Sequence, residues 1–133
     1  MAVDIQQARA ALEQRCAREQ AKLDLRFTEA WQDFRAVLEM LISKYRPRRI
    51  HQWGSLLDRQ KFWRHSDIDI AVEGILDPAE FFALYGDADR LTRFSLDLVA
   101  LERIEPEFAD LIRQKGIVVY DREQSCAGPH CRG

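Results

Sequence analysis

The chain has 133 residues, of which 47% are hydrophobic and 32% are charged. It contains 20 Lys and Arg residues and 22 Asp and Glu residues, so its formal net charge is −2. This length supports one domain with its own core and is too short for two ordinary domains. The near-neutral charge argues against general nucleic-acid binding, no apolar run approaches the roughly 20 residues of a membrane span, and no secretion signal opens the chain, so we expect a cytoplasmic protein.

The first 45 residues predict a long helix, because no Gly or Pro interrupts them and apolar residues recur at steps of three and four. A continuous helix of this length would span on the order of 60 Å, about twice the width of a small domain. It either breaks near residues 18–24 into two helices on one core, or its first half projects as an arm for a homodimer or a protein partner. The apolar positions are Ile5, Ala8, Leu12, Cys16, Leu23, Phe27, Ala30, Trp31, Phe34, Val37, Leu38, Leu41, Ile42 and Tyr45.

The middle of the chain predicts two strands around a Gly-Ser turn. Residues 49–53 form the first strand, Gly54 and Ser55 turn the chain, a short helical turn follows, and residues 66–73 form the second strand. Since alternate side chains of a strand share a face, Asp67 and Asp69 lie together opposite the apolar residues. Two adjacent carboxylates repel each other unless a cation or a proton lies between them, which favours a divalent ion bound through oxygens.

The second half predicts two helices that alternate with two strands. Asp77 caps a helix that begins at Pro78 and has a candidate break at Gly86, and residues 94–101 form a strand that carries Asp97. A last helix from Pro106 to the cap residue Gly116 leads into a strand over residues 117–120.

Everything after residue 121 is predicted to be a flexible tail. Cys126, His130 and Cys131 offer three zinc ligands there, but a fourth is missing and the spacing matches no common zinc module. We therefore divide the chain into an N-terminal helical arm (1–46), a core (47–121) and a tail (122–133), within a single domain overall.

Three carboxylates and one glycine suggest the chemistry. If the two Asp-bearing strands are neighbours, Asp67, Asp69 and Asp97 converge on one or two magnesium ions that leave positions for phosphate. Gly54 lets backbone N–H groups approach an anion, and the Ser55 hydroxyl can donate to it. This arrangement suits attack on the α-phosphorus of a magnesium-bound triphosphate, with Asp97 helping to activate an acceptor hydroxyl.

The same residues resemble the signature of the minimal nucleotidyltransferases (MNT) of the DNA polymerase β superfamily: Gly54-Ser55, then Ser66-Asp67-Ile68-Asp69, then Asp97 one strand later. The resemblance covers about residues 48–121. It implies an α/β nucleotidyltransferase fold, in which a small mixed β-sheet is flanked by helices, here with a long N-terminal helix or helix pair.

The resemblance also implies a site and a partner. Asp67, Asp69 and Asp97 would be the catalytic metal ligands, Gly54, Ser55 and Ser66 would hold the nucleotide, and Mg²⁺ or Mn²⁺ with ATP would be the cofactor and substrate. Small proteins of this kind are similar to antitoxins that transfer AMP to a tyrosine of a HEPN-domain toxin.

The phosphate loop departs from the family pattern. Many relatives follow Gly-Ser with Ala-Arg-Gly, whereas this chain continues Leu-Leu-Asp-Arg-Gln, so Arg59, Lys61 or Arg64 would have to supply the positive charge near the phosphates. Two alternatives therefore stay open. One is a binding module that neutralises a HEPN partner by contact with little turnover, and the other is transfer to a small molecule such as an aminoglycoside.

Overall fold

A computed structural model describes residues 4–125, so Cys126, His130 and Cys131 lie outside the described residues. The elements are α1 (Ile5–Met40), a π-helical turn (Leu41–Tyr45), β1 (Arg49–Trp53), a 3₁₀ turn (Ser55–Leu57), β2 (Ile68–Glu73), α2 (Pro78–Asp89), β3 (Leu96–Ala100), α3 (Pro106–Lys115), β4 (Ile117–Asp121) and α4 (Arg122–Ser125). None of the helices within these residues has the length and apolar content needed to cross a bilayer.

The four strands form one mixed sheet in the order β3-β2-β1-β4. β1 is antiparallel to both β2 and β4, whereas β2 and β3 are parallel and are joined through α2. This arrangement confirms the α/β fold that the sequence predicts, with a small mixed sheet flanked by helices.

Helix α1 is continuous, so the break that the sequence left open near residues 18–24 does not occur. The Asp4 carboxylate caps its start by accepting hydrogen bonds from the backbone N–H groups of Gln6 and Gln7. Residues 4–22 are exposed, and the buried side chains of the helix begin only at Ala30. The N-terminal half of the helix therefore projects from the domain as an arm.

The sheet has a core on each face. Helices α1 and α2 cover one face, where Ile68, Ile70 and Val72 are fully buried against residues such as Phe34 and Leu84. Helix α3 covers part of the other face through a smaller cluster of Ala71, Leu101, Ala109 and Ile112. The predicted apolar side of β2 is thus confirmed as buried, and its opposite side carries the polar residues.

Several predicted boundaries move. β2 begins at Ile68 rather than at residue 66, because Ser66 belongs to a turn in which its hydroxyl accepts a hydrogen bond from the backbone N–H of Trp63. Helix α2 does not break at Gly86, whose carbonyl accepts a helical hydrogen bond from Arg90. The first four residues of the predicted tail form the short helix α4.

Candidate functional site

Asp69 and Asp97 occupy equivalent places on the two parallel strands. They are register partners in the β2–β3 ladder, so their side chains leave the same face of the sheet next to each other. Asp67 lies two residues before Asp69, just ahead of β2, and is half-buried. The strand order thus brings together the three carboxylates that the sequence predicts as neighbours.

Gly54 lies directly against Asp69. A Cβ atom added to Gly54 would be 1.9 Å from Asp69 Oδ2, and the φ angle of Gly54 is +85°, in the region that favours glycine. β1 ends at Trp53, which is the register partner of Asp69 on the other side of β2. Only a residue without a side chain allows the turn after β1 to pass this close to the carboxylate.

Burial and neighbouring carboxylates raise the pKa values of Asp69 and Asp97. Burial, followed by the charges of Asp97 and Asp67, raises the pKa of Asp69 to about 7. Partial desolvation and the charge of Asp67 raise the pKa of Asp97. A pair of carboxyl groups with raised pKa values on one polar sheet face is typical of sites that bind cations or move protons.

The donor set fits a hard divalent cation in its chemistry, since every candidate ligand is a carboxylate oxygen. Among residues 4–125, however, no three His, Cys, Asp or Glu side chains are already arranged as a metal cage. Magnesium is usually held by one or two carboxylates together with substrate phosphates and water. The open arrangement therefore suits a metal that arrives with a triphosphate.

The loop between Gly54 and the aspartates is fastened to helix α1. The Trp31 indole Nε1 donates a hydrogen bond to the Leu56 carbonyl over 3.1 Å, and the rings of Phe27 and Phe62 meet edge to face at 5.2 Å. This contact cannot be predicted from the sequence, because the two segments lie about 25 to 35 residues apart and no local signal joins them. The long helix thus fixes the backbone that leads into the candidate site.

Arg59 is part of the same attachment. Its Nε donates to Asp24 Oδ1 over 2.7 Å, and its guanidinium lies 5.7 Å from the centre of the Phe27 ring. Lys61 and Arg64 are exposed, and Arg64 lines a groove beside α1. The phosphate-binding roles of these three residues stay predictions, and Arg59 would have to leave Asp24 to fulfil one.

The two serines have different surroundings. Ser55 begins the 3₁₀ turn directly after Gly54 and is half-buried. Ser66 is buried, and its hydroxyl accepts the N–H of Trp63 over 2.9 Å. Ser55 is therefore the better placed of the two for an incoming anion, while Ser66 shapes the turn before Asp67. Their nucleotide-binding roles stay predictions.

Two tryptophans flank the site in the sequence, and only one of them lies on the sheet. Trp53 packs edge to face on Phe108 of α3 at 5.6 Å, and its buried Nε1 has no hydrogen-bond partner in the described part of the chain. Trp63 is 54% exposed and contacts His65. Trp53 thus closes the side of the site towards α3.

A buried charge cluster lies on the same face of the sheet, at the other end of β2. Glu73 Oε1 is 3.0 Å from His51 Nε2 and 3.2 Å from Arg113 Nε, and Arg49 lies 3.6 Å from Glu73 Oε2. The role of His51 is not evident from the sequence, because its partner groups come from β2 and α3. The Glu73 carboxylate is thus paired on both oxygens, although the buried His51 Nδ1 has no hydrogen-bond partner in the described part of the chain, and we assign the cluster to the stability of the fold.

The chain is similar to known proteins in sequence and in fold. A family model described as polymerase beta, nucleotidyltransferase matches residues 37–125. A crystal structure of the toxin–antitoxin pair MntA–HepT is 19% identical, with a TM-score of 0.52 over 71% of this chain and 75% of that chain. A toxin–antitoxin structure with AMP-PNP is 24% identical, with a TM-score of 0.53 over the same shares. No curated protein matches the chain.

Proposed function

Because the chain belongs to the polymerase β nucleotidyltransferase family, we propose that it transfers AMP from magnesium-bound ATP to a hydroxyl group of a protein. We further propose that the acceptor is a HEPN-domain toxin and that the transfer makes this chain the antitoxin of the pair. We place this chain, its toxin partner and the ATP in the cytoplasm.

The observation that carries the proposal is the pairing of Asp69 with Asp97 across two parallel strands, with Gly54 against Asp69. A strand face that only meets water has no need of three neighbouring carboxylates, since Asp is depleted in strands and like charges on adjacent strands destabilise a sheet. A magnesium ion bound to them would neutralise charge on the triphosphate.

The residues around the metal site would have two roles, which are to bind the phosphates and to accept a proton. Gly54 and Ser55 would hold the phosphates through backbone N–H groups and a hydroxyl. Asp97, whose pKa is raised and whose side chain is exposed, would accept the proton of the attacking hydroxyl. The acceptor oxygen then bonds to the α-phosphorus while the bond to pyrophosphate breaks, and pyrophosphate leaves.

The solved structures support the partner class. The MntA–HepT structure is a toxin–antitoxin pair, and the second structure contains AMP-PNP, an ATP analogue. This chain has a similar fold at similar length, without a further domain among residues 4–125 for a small acceptor such as an aminoglycoside. A homodimer formed through the N-terminal helix stays a prediction.

One observation favours a second candidate, a binding module with little turnover. The arginine expected near the phosphates is absent at its usual offset, and Arg59 is paired with Asp24 on α1. If neither Lys61 nor Arg64 replaces it, the chain would neutralise its partner by contact alone.

The test uses ATP labelled at the α-phosphate, magnesium and the protein encoded beside this chain. We expect label on the partner protein, and we expect Asp67→Asn, Asp69→Asn and Asp97→Asn each to reduce labelling by at least about 100-fold, since each removes a charged group at the reacting phosphate. Asp89→Asn changes an exposed carboxylate at the end of α2 and is the matched control.

Two readouts separate the candidates. Labelling that needs all three aspartates, together with loss of toxin neutralisation in cells by the same variants, supports the transferase. Full neutralisation by the triple variant, without any labelling by the unsubstituted protein, would establish the binding module and overturn the transferase.

A further inference from the structure

The projecting half of α1 carries a stripe of residues that continues the buried stripe of the same helix. At 100° per residue, six positions between Ile5 and Leu23 fall within about 80° of one another, on the side where Ala30, Phe34 and Val37 enter the core. Ile5 is 74% exposed and Leu12 is 59% exposed. The positions of the stripe are Ile5, Arg9, Leu12, Cys16, Glu19 and Leu23.

This stripe is symmetric about Gln14. Ile5 and Leu23 are equally distant from Gln14, and so are Leu12 and Cys16, which makes two apolar pairs. The remaining pair is Arg9 with Glu19, which have opposite charges and are both exposed. A segment whose positions pair in this way is complementary to a second copy of itself that runs in the opposite direction.

We propose that two copies of this chain associate through residues 5–23 of α1 as an antiparallel helix pair, whose twofold axis lies between the helices at the height of Gln14. Ile5 of each copy packs on Leu23 of the other, Leu12 packs on Cys16, and Arg9 pairs with Glu19. The contact is isologous, so each pair occurs twice. The proposal concerns assembly and goes beyond nucleotide transfer.

The charges select this direction. In a parallel pair, Arg9 would face Arg9 and Glu19 would face Glu19 inside the seam, and like charges at such positions oppose association. In the antiparallel pair each of these side chains meets an opposite charge. Arg9 and Glu19 form no ion pair within residues 4–125 of a single copy, so both are available.

In this register the start of the second helix would lie beside the domain. A groove of about 790 Å³ lies where α1 meets the domain, lined by Glu19, Lys22, Leu23, Arg26, Arg64 and His65. In the proposed register the start of the second helix reaches this groove. Ile5 of the second copy would contact Leu23, and its capping Asp4 would lie among Lys22, Arg26 and Arg64. The exposed half of α1 thus ends where the groove begins.

The first experiment measures the mass of the full chain by light scattering at micromolar concentration, without any partner protein. We expect two chains, and we expect Leu12→Asp to give one chain. Leu25→Asp is the matched control, because Leu25 is 61% exposed on the opposite side of the helix and should leave the dimer intact. Circular dichroism and thermal unfolding verify that each variant is folded, which we expect because both side chains are more than half exposed.

The second experiment tests the pairing. Arg9→Glu and Glu19→Arg should each raise the dimer dissociation constant about tenfold or more, and the double variant should restore it, because the charges are then exchanged. A parallel pair or a nonspecific apolar contact would not be rescued in this way.

A third experiment fixes the direction. With Cys126→Ser and Cys131→Ser in place, Leu12→Cys should form a disulfide with Cys16 of the other copy, while Cys16 alone should form none. Three results would overturn the proposal: a single-chain mass at every concentration, equal dissociation by Leu12→Asp and Leu25→Asp, or cross-linking between the two Cys16 residues. Labelling of the partner protein is measured separately, so failure of the dimer leaves the transferase to its own test.

Discussion

Asp69 and Asp97 face each other across two parallel strands, and the backbone of Gly54 lies against the first of them. A sheet gains nothing from two neighbouring carboxylates on one face, so this pair costs stability in the metal-free protein. Stability and function therefore make opposite demands on Asp69, and both can be measured.

The first prediction concerns the pH dependence of stability without metal. Because the pKa of Asp69 rises to about 7 in the folded state, folding takes up a proton between the unfolded pKa and 7. The favourable contribution of the protonated group is full at low pH and is lost as the pH rises through 7. We expect Asp69→Asn to stabilise the protein by about 1–3 kcal/mol at pH 8 and by much less at pH 5.

Urea unfolding in EDTA at both pH values measures this difference. Asp89→Asn, at an exposed carboxylate, should change stability little at either pH. Equal effects of Asp69→Asn at pH 5 and pH 8 would show that Asp69 ionises normally in the folded protein.

The second prediction separates strain from function by comparing two glycines. Gly54 and Gly74 both have a positive φ, and a Cβ atom at either would come within 2.8 Å of other atoms. Substitution by Ala should destabilise the protein at each position by about 1–3 kcal/mol. Only at Gly54 is the obstructed group the Asp69 carboxylate, since Gly74 meets Arg48 instead.

We therefore expect Gly54→Ala to abolish nucleotide transfer and Gly74→Ala to keep it, in assays at a temperature where both variants are folded. Equal residual activities would mean that Gly54 acts through the stability of the fold and not through Asp69.

The third prediction concerns the attachment of the loop to α1. Trp31→Phe keeps an aromatic ring near Phe27 and Phe34 but removes the hydrogen bond to the Leu56 carbonyl. We expect a loss of about 0.5–1.5 kcal/mol in stability. Hydrogen exchange should also accelerate in residues 55–66 more than in the strands, because the hydrogen bond fastens that loop specifically. Uniform acceleration across the sheet would show that Trp31 supports only the core.

The sequence predicted the features that depend on local patterns, such as the faces of a strand and the start of a helix. Alternation placed Asp67 and Asp69 opposite Ile68 and Ile70, and the capping residues placed the start of α2 at Pro78, as the structure confirms. Contacts between distant segments could not be predicted. The Asp24–Arg59 pair and the buried His51–Glu73 contact depend on how α1 and the strands pack, and the neighbouring residues in the sequence do not predict them.

The same reason explains why the sequence left the course of α1 open. The periodic stripe from Ile5 to Tyr45 is compatible with two packed helices or one long helix, because both bury the same positions near Phe34. An uninterrupted run without Gly or Pro favours the continuous helix that the structure shows.

The fourth prediction tests the charge cluster at the far end of β2. Burial by itself would raise the pKa of Glu73, but hydrogen bonds from Arg113 and His51 outweigh it and lower the pKa. Glu73→Gln keeps the shape and removes the only carboxylate partner of His51 among the described residues, whereas Arg49 keeps its ion pair with Asp121 and Arg113 keeps its ion pair with Asp110. We expect a destabilisation of about 2 kcal/mol at pH 7, reduced from the value for a fully buried pair because Arg113 is 45% exposed.

The sign of the pH dependence is opposite to that of Asp69. A carboxyl with a lowered pKa stabilises the fold above the ordinary glutamate value of about 4.3, and this contribution is lost as the pH falls through the folded pKa. Urea unfolding at several pH values should therefore show the Glu73→Gln and unsubstituted proteins converging on acidification, whereas Glu39→Gln, at an exposed position of α1, should match the unsubstituted protein throughout. A difference that stays constant down to pH 3 would show that Glu73 contributes through packing and not through its charge.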